Sequence, residues 1–262
     1  MATVADILTF IESIAPPYMK ESWDNVGLNC GRKNREVTKL LVALDPFEEA
    51  CLEAKDFGAE LLVTHHALLW KPGFLTDQDT QGRNTLFLIE NGIAAINAHT
   101  NLDLAPGGIN DVLAQTLGLS EITVITPEGT DAQGRPYGLL RSGTVEEQPL
   151  PAFLESVKQN LGCQGLRYVD GGKPVRKVAV GGGSCADGMF EALAAGCDTF
   201  VTSDVKYNQF RTAYESGLNL IDAGHFHTEN PTMPVLAARL RAAFPEIQVK
   251  LSEIHRDCMK FY

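Results

Sequence analysis

Five of the six histidines of this chain fall in three short blocks: His65 and His66 in the apolar run LLVTHHALLW (61–70), His99 in AHTNLD (98–103), and His225 and His227 in GHFHTE (224–229). Two blocks carry a carboxylate four residues after a histidine, Asp103 after His99 and Glu229 after His225. Imidazole with carboxylate is a donor set for zinc, iron or manganese, and the donors alone do not choose among them. These blocks hold more ligands than one ion needs, so a site for two divalent cations is expected. A carboxylate can bridge two ions through its two oxygens, which an imidazole cannot do. A single histidine at a strand end is usually a hydrogen-bonded cap. Three blocks in similar settings are poorly explained that way.

The elements that must position them can be read from hydrophobic periodicity. KLLVAL (39–44), ELLVTH (60–65) and AAINAH (94–99) are short apolar runs, as are KVAVGG (177–182), DTFVTS (198–203) and NLIDAG (219–224). Helical stretches separate them, and the helices after the first run of each set stop at Gly58 and Gly196, where a helix C-terminus is expected. Such βα alternation predicts an α/β fold with mainly parallel strands in mixed sheets. The histidine blocks then stand at the C-terminal ends of strands, where open α/β sheets bind ligands.

The two sets of runs are related. Residues 27–66 match 165–204 at an offset of 138, without a gap and with ten identities in forty positions. NGIAAINAH (91–99) then resembles SGLNLIDAGH (216–225), which puts His99 on His225 and Asp103 on Glu229. We expect two related α/β repeats arising by internal duplication, 1–125 and 126–262, with a soft boundary across which elements can cross. TPEGTDAQGRP (126–136) reads as a linker or turn.

Composition narrows the class. An apolar content of 44% supplies a core, and a net charge of −11 argues against general nucleic-acid or anionic-membrane binding. The six cysteines are scattered singly and the N-terminal stretch is an amphipathic helix carrying Asp6 and Glu12, so a cytoplasmic protein is expected. No apolar run approaches the ~20 residues needed to span a bilayer.

Other residues offer weaker signals. His99 is a candidate catalytic group beside the ligands, as donor to a ligand or as proton acceptor. Asp24, in ESWDNVGL (21–28) with Trp23 and Asn25, is the other, in either a packed turn or a pocket wall. Ser203 and Asp204 stand where the offset would place His65 and His66, and Lys206 and Tyr207 after them are candidate substrate-binding residues. GGGS (181–184) is either a phosphate cradle or a tight strand-to-helix turn. His227 is expected to point away from its neighbours, and His255 shows no partner.

WDNVGL, VTHH, AHTNLD with PGGIN, VTSDVKY and DAGHFHTE run in the order seen in the GTP cyclohydrolase 1 type 2 homolog family, also called Nif-three-like, which the chain resembles over essentially its whole length. The resemblance implies paired α/β repeats in a toroidal homohexamer, with two divalent metals per subunit. Carried over position by position, it makes His65, His66, Asp103, His225 and Glu229 the ligands. Glu229 would bridge, His66 would share an ion with Asp103, and His65 would join His225. His227 departs from the family pattern. The expected activity is metal-dependent hydrolysis of a nucleotide or related heterocycle, GTP ring opening being suggested by the family name only. The rival expectation is a metal carrier, insertion factor or adaptor whose metals are structural.

Overall fold

The computed structural model describes residues 1–70 and 73–262. The chain opens with α1 (Val4–Ile14), whose Thr3 and Asp6 side chains cap each other's backbone. Then come β1 (Gly27–Cys30), β2 (Lys39–Ala43), α2 (Glu48–Phe57), β3 (Leu61–Thr64), α3 (Thr80–Glu90), β4 (Ala94–Asn97) and α4 (Thr100–Leu104). There follow α5 (Ile109–Thr116), β5 (Ser120–Ile125), β6 (Gly129–Thr130), β7 (Pro136–Tyr137), β8 (Leu140–Gln148), α6 (Leu150–Leu161), β9 (Arg167–Val169), β10 (Val175–Val180), α7 (Met189–Ala194) and β11 (Thr199–Thr202). The chain closes with α8 (Tyr207–Glu215), β12 (Asn219–Asp222), α9 (His225–Glu229), α10 (Thr232–Ala243) and β13 (Gln248–Leu251).

Two compact units share these elements: residues 1–102 with 233–256, and 103–232 with 257–262. The first holds a five-stranded sheet in the order β1-β4-β3-β2-β13. Its β2, β3, β4 and β13 are parallel, and β1 runs antiparallel to β4. Every residue of β3 and β4 is buried, as expected of parallel strands covered on both faces. Leu41, Ala43, Leu62 and Ala95 pack with Ala50, Cys51 and Ala54 of α2 into one core cluster.

The second unit holds a six-stranded sheet, β5-β8-β10-β11-β12-β9. Here β10, β11 and β12 are parallel, while β8, β5 and β9 are antiparallel to their neighbours. The expected α/β class with parallel and antiparallel strands is what the structure contains. The four strands β1-β4-β3-β2 and the four strands β9-β12-β11-β10 follow the same order with the same relative directions. Residues 126–136 form the β6–β7 ribbon within the second unit.

Two local devices recur. Glu60, just before β3, accepts the backbone N–H of Lys39, and Asp198, just before β11, accepts that of Lys177. The Lys39 ammonium donates to the Phe57 carbonyl at the end of α2, and that of Lys177 to the Ala195 carbonyl after α7. Each lysine satisfies a helix-terminal carbonyl while its strand starts.

Candidate metal centre

In the first unit, His65, His66 and His99 each offer a ring nitrogen, and these nitrogens lie within 4.8 Å of one another. His65 and His66 follow β3 directly, and the chain bends there: both their backbone N–H groups donate to the Leu44 carbonyl. That bend lets consecutive side chains serve one place, which a straight strand would forbid. Their ring centroids are 4.9 Å apart.

The partners of these rings fix their tautomers. His65 Nδ1 lies 2.8 Å from the Ala98 carbonyl, and His66 Nδ1 lies 2.6 Å from Asp45 Oδ1. Both partners only accept, so Nδ1 carries the proton and Nε2 is the nitrogen able to ligate a cation. His99 Nδ1 is 3.0 Å from Asp24 Oδ2. Burial pushes the Asp24 carboxyl up, but hydrogen bonds from His99 and Thr100 outweigh it and hold the carboxyl down at about 2. Asp24 thus stays ionised beside His99.

Asp45 continues outward. Its Oδ2 accepts from His255 Nε2 at 2.8 Å, and His255 Nδ1 reaches Glu49 Oε1 at 3.1 Å. His255, expected to be without a partner, is 5% exposed and joins His66 through Asp45 to the surface residue Glu49. Sequence reading missed this because 210 residues separate His255 from Asp45. Burial disfavours the His255 charge, yet two carboxylates on its two nitrogens raise its pKa above the ordinary value.

In the second unit, His225 and Glu229 stand on α9, with His225 Nε2 3.1 Å from Glu229 Oε2. This segment is a one-turn helix, and the i, i+4 spacing places both groups on one face. Asp103 lies on the short helix α4. Buried Arg141 donates to the carbonyls of Leu104 and Ala105 while paired with Asp111, which pins the chain after Asp103. Asp103 and Glu229 are 8% and 3% exposed and offer oxygens within 4.8 Å of each other.

This donor set fits a divalent cation. Two buried carboxylates at that range repel unless positive charge lies near them. Carboxylates flank both nitrogens of His225, Asp204 at Nδ1 and Glu229 at Nε2, so the site favours positive charge, whether on the ring or on a bound cation.

Asp204 holds His225 from a left-handed backbone, φ 53°. Room for the pair comes from Gly183: with φ +64°, a Cβ there would sit 2.1 Å from Glu229 Oε1 and 3.2 Å from His225 Nε2. The GGGS segment is a tight turn whose amides are already engaged, Gly182 N–H with Asn110 and Gly183 N–H with Thr228. It does not present these two amides to a phosphate.

Lys206 and Tyr207 stand exposed at the start of α8, Tyr207 at 88%. His227 turns elsewhere, to the Leu161 carbonyl and Asp257, each 3.2 Å away. Burial raises the thiols of Cys30 and Cys197 to about 11 and that of Cys51 to about 12, so none is a ready nucleophile.

The fold and these donors define an α/β protein with histidine and carboxylate groups able to hold metal. A family model, Duf34/NIF3 (NGG1p interacting factor 3), matches residues 2–258. A Clostridium perfringens protein named GTP cyclohydrolase 1 type 2 homolog is 36% identical over 262 residues, 98% of either chain. A solved Bacillus cereus protein related to NIF3 superposes with a TM-score of 0.93 at 25% identity, covering 100% of this chain and 99% of that one. The Staphylococcus aureus hypothetical protein SA1388 gives 0.91 at 28% identity, covering 99% of each. The chain belongs to the Duf34/NIF3 family. Among the described residues, no helix is long and apolar enough to cross a membrane.

Proposed function

We propose that this protein is a metal-dependent hydrolase acting on a nucleotide or related heterocycle, with His65, His66, Asp103, His225 and Glu229 holding two divalent cations per subunit. The observation that carries this reading is the set of directed imidazoles: His65 and His66 each hold Nδ1 on an acceptor, and their ring nitrogens converge with that of His99 within 4.8 Å. Zinc, iron or manganese suits these donors. When bound, such cations supply Lewis acidity and a nucleophile at neutral pH.

The protein's own part is to orient and to move protons. Asp45 and Asp204 lock the rings of His66 and His225, and Arg141 steadies the backbone that carries Asp103. His99 would take or return a proton in the manner of a general base, a role supported by the ionised Asp24 beside its Nδ1. The names of relatives support nucleotide chemistry; one Helicobacter pylori relative, 30% identical over 247 residues, is named GTP cyclohydrolase 1 type 2. Assembly as a homohexamer in the cytoplasm belongs to the same proposal and rests on the family resemblance.

The test is metal content and turnover together. Protein purified without added metal is analysed for zinc, iron and manganese, then assayed against GTP, other nucleotides and simple phosphoesters beside His66→Ala and Glu229→Ala. About two ions per chain, with turnover that both variants lose, is expected. Metal bound without turnover above the variants, and passed readily to a chelator, would turn the reading to a metal carrier.

A further inference from the structure

We propose that the indoles of Trp23 and Trp70 form a platform on which a planar heteroaromatic ring, such as a nucleobase, stacks beside His65, His66 and His99. Trp23 is 57% exposed, although its ring is among the largest apolar surfaces a side chain can bury. The two indoles stack on each other, centroids 6.2 Å apart and planes 25° from parallel. His99 stands edge-on to both, 5.9 Å from Trp23 and 4.9 Å from Trp70. The imidazole that lies against His65 and His66 therefore borders the aromatic pair directly.

Isolated exposed aromatics are common and call for no explanation. This pair is different because polar bonds hold it from both flanks. Asp24, the neighbour of Trp23, is buried and accepts from the Thr100 amide and hydroxyl. The Lys20 ammonium closes the turn by donating to the carbonyls of Glu21 and Asp24. The Asn25 amide donates to the Leu69 carbonyl, and Asn29 Oδ1 accepts the Leu68 and Leu69 amides, so the segment before Trp70 is tied to the one carrying Trp23. A rigid, exposed π-face loses little freedom when a ring settles on it, and stacking accepts any base because every base has such a face.

The placement beside the histidines rests on the proposed hydrolase reading; ring binding itself does not need turnover to be seen. Trp23 and Trp70 are the two tryptophans of the chain, so indole emission reports on this pair alone. The purified protein is titrated with guanosine and GTP, and with inorganic triphosphate and ribose 5-phosphate as ring-free probes. Saturable quenching by the first two and none by the last two is expected. In equilibrium dialysis, Trp23→Ala should weaken guanosine binding on the order of tenfold, while Trp23→Phe retains most of it. Trp23 is exposed, so both variants should melt like the parent. Equal quenching by triphosphate, unchanged guanosine affinity in Trp23→Ala, or emission that follows protein concentration instead of nucleoside would each overturn the platform. The last result would give that face to a second copy of the chain. Turnover of a ring-free phosphoester with no guanosine binding sinks the platform and leaves the hydrolase. Guanosine binding without any turnover does the reverse.

Discussion

Matched strand ends in the two units carry opposite equipment. After β2 and β3 the first unit places Asp45, His65 and His66; at the positions 138 further on, after β10 and β11, the second places Gly183, Ser203 and Asp204. In the first unit the strand ends supply imidazoles and the carboxylate that orients one of them. In the second they supply room and an orienting carboxylate, and the candidate ligands come from the helix after β12. One strand frame can therefore deliver donors from either of two elements. What each loop end keeps is the group that aims an imidazole: Asp45 for His66, Asp204 for His225.

Gly183 offers the sharpest break. Alanine there would drive its Cβ to 2.1 Å from Glu229 Oε1, and the atom that can yield is the tip of a flexible side chain. Folding should lose only the left-handed penalty, about 1–2 kcal/mol. Metal affinity should fall on the order of a hundredfold, because the yielding atom belongs to a candidate ligand. Calorimetric melting beside a metal titration separates the two, and an affinity near that of the parent would refute the idea that Gly183 reserves space for Glu229.

The orienting carboxylates come next. Asp45→Asn and Asp204→Asn keep the side-chain size but lose the charge that favours the proton on Nδ1, and each should weaken metal binding by roughly 10- to 100-fold. Asp45 should matter more, since its carboxylate is largely buried whereas that of Asp204 is about half exposed. Asp204→Gly adds a contrast: it relieves the positive φ and so should raise the melting temperature while lowering metal affinity. If both quantities move together, Asp204 holds the fold rather than His225.

The residues legible beforehand were those whose meaning is local. Apolar runs of four to six residues announced β2, β3, β10 and β11, because parallel strands buried on both faces cannot hide their composition. Histidine blocks and their i+4 carboxylates pointed to the groups that could hold a metal. What stayed hidden was everything set by tertiary approach. His255 meets Asp45 from the far end of the chain, Trp70 meets Trp23 from a different loop segment, and Arg141 reaches back to Leu104. The short helices α4 and α9 were hidden for another reason: five residues carry too little periodicity to distinguish a turn of helix from a loop.

A smaller effect tests the outward arm of the first unit, which the second lacks at its Gly183. His255 has its pKa raised, so its charge stabilises the fold fully below the unfolded value of about 6.5. That contribution is lost as pH rises through the raised folded value. The difference in stability between the parent and His255→Gln should thus be largest in mild acid and shrink in alkali. Melting curves from pH 5 to 9 read this directly; a difference that grows with pH would mean that His255 is held neutral, against the carboxylates on both of its nitrogens.

The smallest effect concerns what the two units have in common. Lys39 and Lys177 occupy matched positions, both half-buried, and each donates to a carbonyl at the end of the helix that follows its strand, at 3.2 and 2.7 Å. A cation on a helix C-terminus contributes about 0.3–1 kcal/mol, and the methylene stem packs whether or not the charge is present. Lys39→Met and Lys177→Met should therefore cost similar, small amounts in chemical denaturation, and the double variant should cost their sum, because the two sites share no partner. Lys39 also lies 5.2 Å from the Phe57 ring centroid, which biases its loss slightly upward. A large cost at one lysine with none at the other would show that the shared strand order hides unlike foundations, and that the contrast at the strand ends extends down to where the strands begin.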